Sequence, residues 1–75
     1  MYYYLINIDG MKCGMCEAHV NDLIRKNFKE CIKIKSNHKK KESSFKSKEE
    51  LDLDTIKDVI EKSGYKVVDI RKEVD

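Results

Sequence analysis

Seventy-five residues, 40% of them charged and with a formal net charge of +2, describe one small domain spanning 1–75. A chain of this size buries only roughly 60% of the surface that its unfolded form exposes. This argues against a deep cleft beside the core and so against an enzyme with a bulky substrate. Three cysteines are an odd number, which excludes a fully paired disulfide framework.

Met1 to Ile8 reads as a strand. Tyr4, Ile6 and Ile8 alternate with Tyr3, Leu5 and Asn7, a period of two rich in aromatic and β-branched residues. Asp9-Gly10 is a turn signal. From about Gly14 to Asn27 the period changes. Cys16, Val20, Leu23, Ile24 and then Asn27 or Phe28 follow the spacing of one helix face, and Glu17 near the start and Arg25 and Lys26 near the end suit the helix dipole. Cys31 to about Lys35 alternates again, with Ile32 and Ile34 inward and Lys33 and Lys35 outward. The polar run Asn37-His38-Lys39-Lys40-Lys41 predicts a turn. Glu42 to Lys48 is a weak strand with Phe45 as its main apolar residue, supported by its place between clearer elements.

Leu53, Ile56, Val59, Ile60 and Ser63 have helical spacing, with Asp52 or Asp54 as N-cap and Gly64 as a left-handed cap at the far end. Tyr65 to Val74 is a last strand, with Val68 and Ile70 on one face and Val67 on the other. The order β-α-β-β-α-β is the ferredoxin-like split pattern. Right-handed crossovers turn it into an α+β fold, a four-stranded antiparallel sheet with both helices on one face. Following strand directions, the loop holding Cys13 and Cys16, the turn at Lys39 to Lys41 and the Gly64-Tyr65 loop share one end.

The stretch Gly10-Met11-Lys12-Cys13-Gly14-Met15-Cys16 carries the chemistry. It puts two thiols on a strand-to-helix turn and Cys16 in the first helical turn. Unpaired N–H groups and the positive end of the dipole there favour thiolate over thiol. Thiolates bind soft ions such as Cu(I), bind Zn(II), and also do disulfide chemistry. Two thiolates without an obvious third and fourth ligand suit an ion that accepts two-coordination, whereas zinc usually takes four ligands. His19, one turn beyond Cys16, reads as a helix-surface histidine. His38 reads as a solvated turn residue at the same end. Cys31 opens the second strand at the opposite end and reads as a small structural residue. Met15 reads as an exposed apolar contact for a partner.

With that motif on the first loop of a β-α-β-β-α-β chain, the sequence resembles the heavy-metal-associated domain, the family of small bacterial copper chaperones and of N-terminal domains of metal-transporting P-type ATPases. The resemblance covers essentially the whole chain through Gly-Met-x-Cys-x-x-Cys. It implies Cu(I) held by Cys13 and Cys16 and passed to a partner by ligand exchange. It makes Met11 a residue that packs beneath the loop and Tyr65 a residue near the metal. Lys12 departs from the threonine of many members. An ammonium there would lower the thiol pKa values and offset the charge of a dithiolate centre, and it is not the acidic residue of zinc-handling relatives. Zn(II) or another soft heavy metal is the alternative cargo.

Two rival readings carry less. A thiol–disulfide oxidoreductase would also place C-x-x-C at a helix start, but the element order opens β-α-β-β. The chain also has no proline, whereas the thioredoxin-like family sets a cis-proline against its cysteines. RNA-binding RRM domains share this element order, but the third strand lacks their glycine and aromatic pattern, so no nucleic-acid partner is expected. The N-terminus lacks the basic start, apolar run and small-residue cleavage site of a secretory signal. No apolar stretch approaches the roughly 20 residues of a membrane span. The expectation is a cytoplasmic, non-enzymatic copper chaperone or buffer with reduced thiols. It would be a monomer when metal-free, and two copies could share one ion through their exposed dithiols. Its partner would be a metal-transporting P-type ATPase or a copper-responsive regulator. Seven lysines against one glutamate between Lys33 and Lys48 could steer it to an acidic surface.

Overall fold

Tyr4, Ile6 and Ile8 are fully buried, and their alternation decides what lies at the middle of the sheet. In a computed structural model, which describes residues 1–74, they belong to β1 (Tyr2–Asp9). The chain continues through α1 (Gly14–Asn27), β2 (Cys31–Asn37), β3 (Glu42–Ser47), α2 (Leu53–Glu61) and β4 (Lys66–Val74). The strand order is β2-β3-β1-β4 with every pairing antiparallel, which is the expected ferredoxin-like α+β architecture. Among the described residues, no helix is long and apolar enough to cross a membrane.

Each helix contributes an i, i+4 pair to the core, Val20 and Ile24 from α1 and Ile56 and Ile60 from α2. These meet Tyr4, Ile6, Ile8 and Phe45 on one face of the sheet. Phe45 stacks on Tyr4, with ring centroids 5.2 Å apart, and on Phe28, at 6.2 Å. The one polar atom of Tyr4 is satisfied: its hydroxyl oxygen accepts from the Leu51 N–H at 2.7 Å, which fixes the approach to α2. Asp52 caps that helix by accepting from the Asp54 N–H at 3.0 Å.

The weak third strand is real, and its inward positions explain why propensity barely shows it. Ser43 and Ser47 flank Phe45 on the core side and are both buried. The Ser43 hydroxyl bonds the Lys35 carbonyl at 3.1 Å and pairs with the Ser36 hydroxyl at 2.9 Å. Ser47 accepts from the Glu49 N–H at 3.2 Å.

Two facings differ from the sequence reading, both on edge strands and both through a bulge. In β2 the register with β3 shifts between Ile32 and Lys35, where Lys33 takes φ +54°. The extra residue resets the alternation. Cys31 and Ile34 pack against the core, while Ile32 turns outward and is 42% exposed. In β4 the register with β1 shifts between Asn7 and Ile8. Val67 is buried and Ile70 packs on the core, whereas Val68 is 65% exposed. Val67 and Ile70 therefore share the core side and Val68 does not.

Candidate metal centre

The cysteine loop is built by a glycine and closed by a helix start. After β1 the chain turns at Gly10, whose φ of +110° is open to glycine and strained for other residues. The closeness of Tyr65 adds a second constraint, since a Cβ on Gly10 would fall 3.4 Å from its ring. Met11 then dips inward and is 5% exposed, so it anchors the loop from below. Cys13 is the N-cap of α1 in extended conformation, without a side-chain cap. Its carbonyl accepts from the Cys16 and Glu17 N–H groups at 3.0 and 3.2 Å. Cys13 is exposed and Cys16 half-buried, and all three cysteines are free thiols.

Cys16 is held below the ordinary thiol range. The Lys12 backbone N–H is the largest cause and the Tyr65 hydroxyl the next, with the Cys13 N–H and thiol adding to them against a smaller cost of burial. The N–H groups that lower it belong to Lys12 and Cys13, which precede the first helical residue Gly14, and Lys12 acts through its main chain, its ammonium not being among the causes. Tyr65 is moved the other way, above the ordinary phenol range, by burial first and then by its hydrogen bond to Cys16 and the charges of Cys16 and Cys13.

The other two loops of this end arrive as the strand directions require. The Ile8 N–H donates to the Lys41 carbonyl at 2.8 Å, which sets the basic turn beside the end of β1. The Asn37 side-chain oxygen accepts from the Lys39 and Lys40 N–H groups at 2.9 and 3.1 Å. His38 is not a solvated turn residue. Its backbone N–H and its ring Nδ1 both reach Glu17 Oε2, at 2.8 and 2.6 Å. That clamp ties the basic turn to the first turn of α1. It holds the Glu17 carboxyl below the usual carboxylate range, the backbone N–H contributing most. His19 is exposed, yet its Nδ1 lies 3.0 Å from the Tyr65 hydroxyl, so it is more than a helix-surface histidine. Met15 is 83% exposed. Among the described residues, no group of three or more His, Cys, Asp and Glu side chains converges.

Cys31 stands apart from this set. It pairs with Ser47, which pairs with Tyr2 at the far end of β1. Burial is the largest of the causes that push its thiol from an ordinary 9.0 up to about 11. Since the thiolate is the nucleophile, Cys31 should be alkylated far more slowly than Cys16 at pH 8, and its rate should still be climbing at pH 10. The sign for stability follows. The unfolded chain loses this proton near pH 9.0 and the folded chain near 11, so the contribution is complete below pH 9 and is lost as pH rises towards 11. Peptide-resolved alkylation against pH checks this, and a Cys31 rate equal to that of Cys16 at pH 8 would contradict it.

No protein-family model matches the chain, and no curated protein matches it in sequence. Solved structures do. A CopZ metallochaperone superposes with a TM-score of 0.76 at 27% identity, over 88% of this chain and 98% of that one. The yeast copper transporter domain Ccc2a, solved in apo and Cu(I)-loaded states, gives 0.77 at 23%, over 100% and 99%. A copper-binding domain from HMA7, a P-type ATPase, gives 0.76 at 17%, over 99% and 96%. The last two identities speak to the fold alone.

Proposed function

We propose that this chain, which has the fold of heavy-metal-associated domains, is a Cu(I) chaperone or buffer that holds its cargo between Cys13 and Cys16. The observation that carries this is the pairing of those two thiols at the open start of α1, with Cys16 already displaced towards thiolate by the Lys12 N–H and the Tyr65 hydroxyl. The thiolate is the ligand form of cysteine. Two soft donors match an ion content with two, better than one that usually takes four. The likeness to a CopZ metallochaperone at 27% identity supports the same reading.

Transfer is associative. A thiolate of the partner bonds to the ion while one of the two original sulfur bonds breaks, and the departing cysteine keeps its electron pair. Met11 supports the loop from below, and Lys12 and Tyr65 adjust the charge around the sulfurs. The activity is binding and exchange, not catalysis, carried by the whole chain as one domain in the cytoplasm, where thiols stay reduced. The partner is a metal-transporting P-type ATPase domain or a copper-responsive regulator.

An anaerobic titration of reduced protein against a competing chelator tests the cargo. One tightly held Cu(I), with much weaker Zn(II), is the expected result. Weak Cu(I) with tight zinc, or with a readily formed Cys13–Cys16 disulfide, overturns it. The basic turn is the docking element. Replacing Lys39, Lys40 and Lys41 together with glutamine should slow transfer to an acidic acceptor domain by about tenfold at low ionic strength. It should also flatten the salt dependence of the rate. Stopped-flow transfer at two salt concentrations reads both, and an unchanged rate and slope would remove the turn from docking.

A further inference from the structure

The three adjacent lysines of the turn between β2 and β3 are not carried on a loose loop. The Asn37 side chain takes the Lys39 and Lys40 N–H groups, and the Lys41 carbonyl takes the Ile8 N–H. His38 fastens the turn to the helix. Its backbone N–H and its ring Nδ1 both donate to Glu17 Oε2, at 2.8 and 2.6 Å. A carboxylate only accepts, so Nδ1 is the ring nitrogen that carries the proton. The two side chains are 30% and 27% exposed, so the ring bond is both charge-assisted and half-sheltered from water.

The face of α1 supplies a second fastening one helical turn on. Asn21 Oδ1 accepts from the Ser36 hydroxyl at 2.6 Å. That bond seats the end of β2 and does not involve His38. The His38 ring is therefore the side chain by which the turn itself, beyond the end of the strand, grips the helix. The residue it grips follows Cys16 directly in sequence. We infer that His38 is a positioning residue: by clamping Glu17 it fixes the direction in which Lys39, Lys40 and Lys41 face relative to the start of α1, so that an acidic acceptor held by the lysines brings its own thiolates to Cys13 and Cys16.

The inference rests on the docking reading of this turn and deepens it. Charge brings an acceptor in, whereas alignment of the reacting sulfurs sets the rate once it has docked. A suitable acceptor is a synthetic peptide with a Cys-x-x-Cys pair flanked by four glutamates, and the same peptide with glutamines is its control. His38→Ala keeps all three lysine charges. Its half-saturating concentration of the glutamate peptide should stay within about twofold of wild type, while the limiting transfer rate should fall about three- to tenfold. Cu(I) affinity should not change. His38→Asn keeps a side-chain N–H near the position of Nδ1 and should recover most of the rate. With the glutamine peptide, or with Lys39, Lys40 and Lys41 already replaced by glutamine, His38→Ala should have no further effect, because nothing is left to aim.

A second readout needs no metal. Backbone nitrogen relaxation should find the Lys39 to Lys41 amides as rigid as the strands in the wild type, with order parameters of about 0.85, and falling towards about 0.6 in His38→Ala. Unchanged order parameters overturn the inference. So does an unchanged limiting rate, or equal slowing with the glutamate and glutamine peptides. If the wild type serves both peptides alike, the docking reading falls and the inference with it. If the wild type fails to bind Cu(I), the functional reading falls, and relaxation still decides whether His38 orders the turn.

Discussion

Serine in place of either Cys13 or Cys16 should lower Cu(I) affinity by about two to three orders of magnitude or more. Four-ligand structural zinc sites are worth about 10–16 kcal/mol, so one ligand supplies about 2.5–4 kcal/mol, and each 1.4 kcal/mol is a decade. A site with two sulfurs has nothing to absorb the loss, because serine is a hard donor that stays protonated at neutral pH. The same substitution at Cys31 is the control. That residue packs on the core at the far end of β1, so Cys31→Ser should cost some stability and leave Cu(I) affinity as it was. Chelator competition on the three variants, with circular dichroism to show that each is folded, makes the comparison. Wild-type affinity in either Cys13→Ser or Cys16→Ser would mean that the ion sits elsewhere.

The cysteine pair was legible because its logic is local. A period of two gives way to a period of 3.6 between Ile8 and Val20, and both thiols fall at that boundary. Strand directions then brought the Lys39 to Lys41 turn and Tyr65 to the same end without any contact being known. What stayed hidden is what joins these loops. The His19–Tyr65 and Glu17–His38 bonds link residues 46 and 21 positions apart. They depend on which rotamer each side chain takes once the loops have met, and no residue pattern encodes that. Lys12 shows a related blind spot. Its charge is visible in the sequence, but the first cause of the Cys16 shift is its main-chain N–H, which any residue other than proline would supply.

The sheet divides along the same line. β1 was readable because a central strand packs on one face in strict alternation, and Tyr4, Ile6 and Ile8 obey it. On β2 and β4 the alternation is broken by one extra residue. Nothing in Ile32-Lys33-Ile34 marks the bulge, since Lys33 takes φ +54° without being glycine. A period-two reading carried across such a point inverts every residue on its far side, which is why Ile32, across the bulge from Ile34, faces outward, and Val68 does so as the extra residue between Val67 and Asp69. Edge strands tolerate this because only one neighbour constrains their register.

Phe45→Ala should be the most damaging substitution away from the loop. The side chain is fully buried, is stacked between Tyr4 and Phe28, and is the sole apolar residue on the core side of β3, where serines flank it. Truncation of a buried phenylalanine costs about 3–5 kcal/mol. A chain of 75 residues holds about 4–11 kcal/mol in all, at roughly 0.05–0.15 kcal/mol per residue. The variant should therefore melt roughly 12–40 °C lower, at about 4–8 °C per kcal/mol for a small domain, and be partly unfolded at 37 °C. The cysteine loop stands on this core through Met11, so fold and site are coupled by mass action. Cu(I) bound by the folded form alone adds RT ln(1 + [L]/Kd), about 4 kcal/mol at a thousand times Kd. Cu(I) should then refold Phe45→Ala and raise its melting temperature, and it should fail to do so when Cys13→Ser is added. Rescue that persists without Cys13 would show the ion stabilising the chain from some other place.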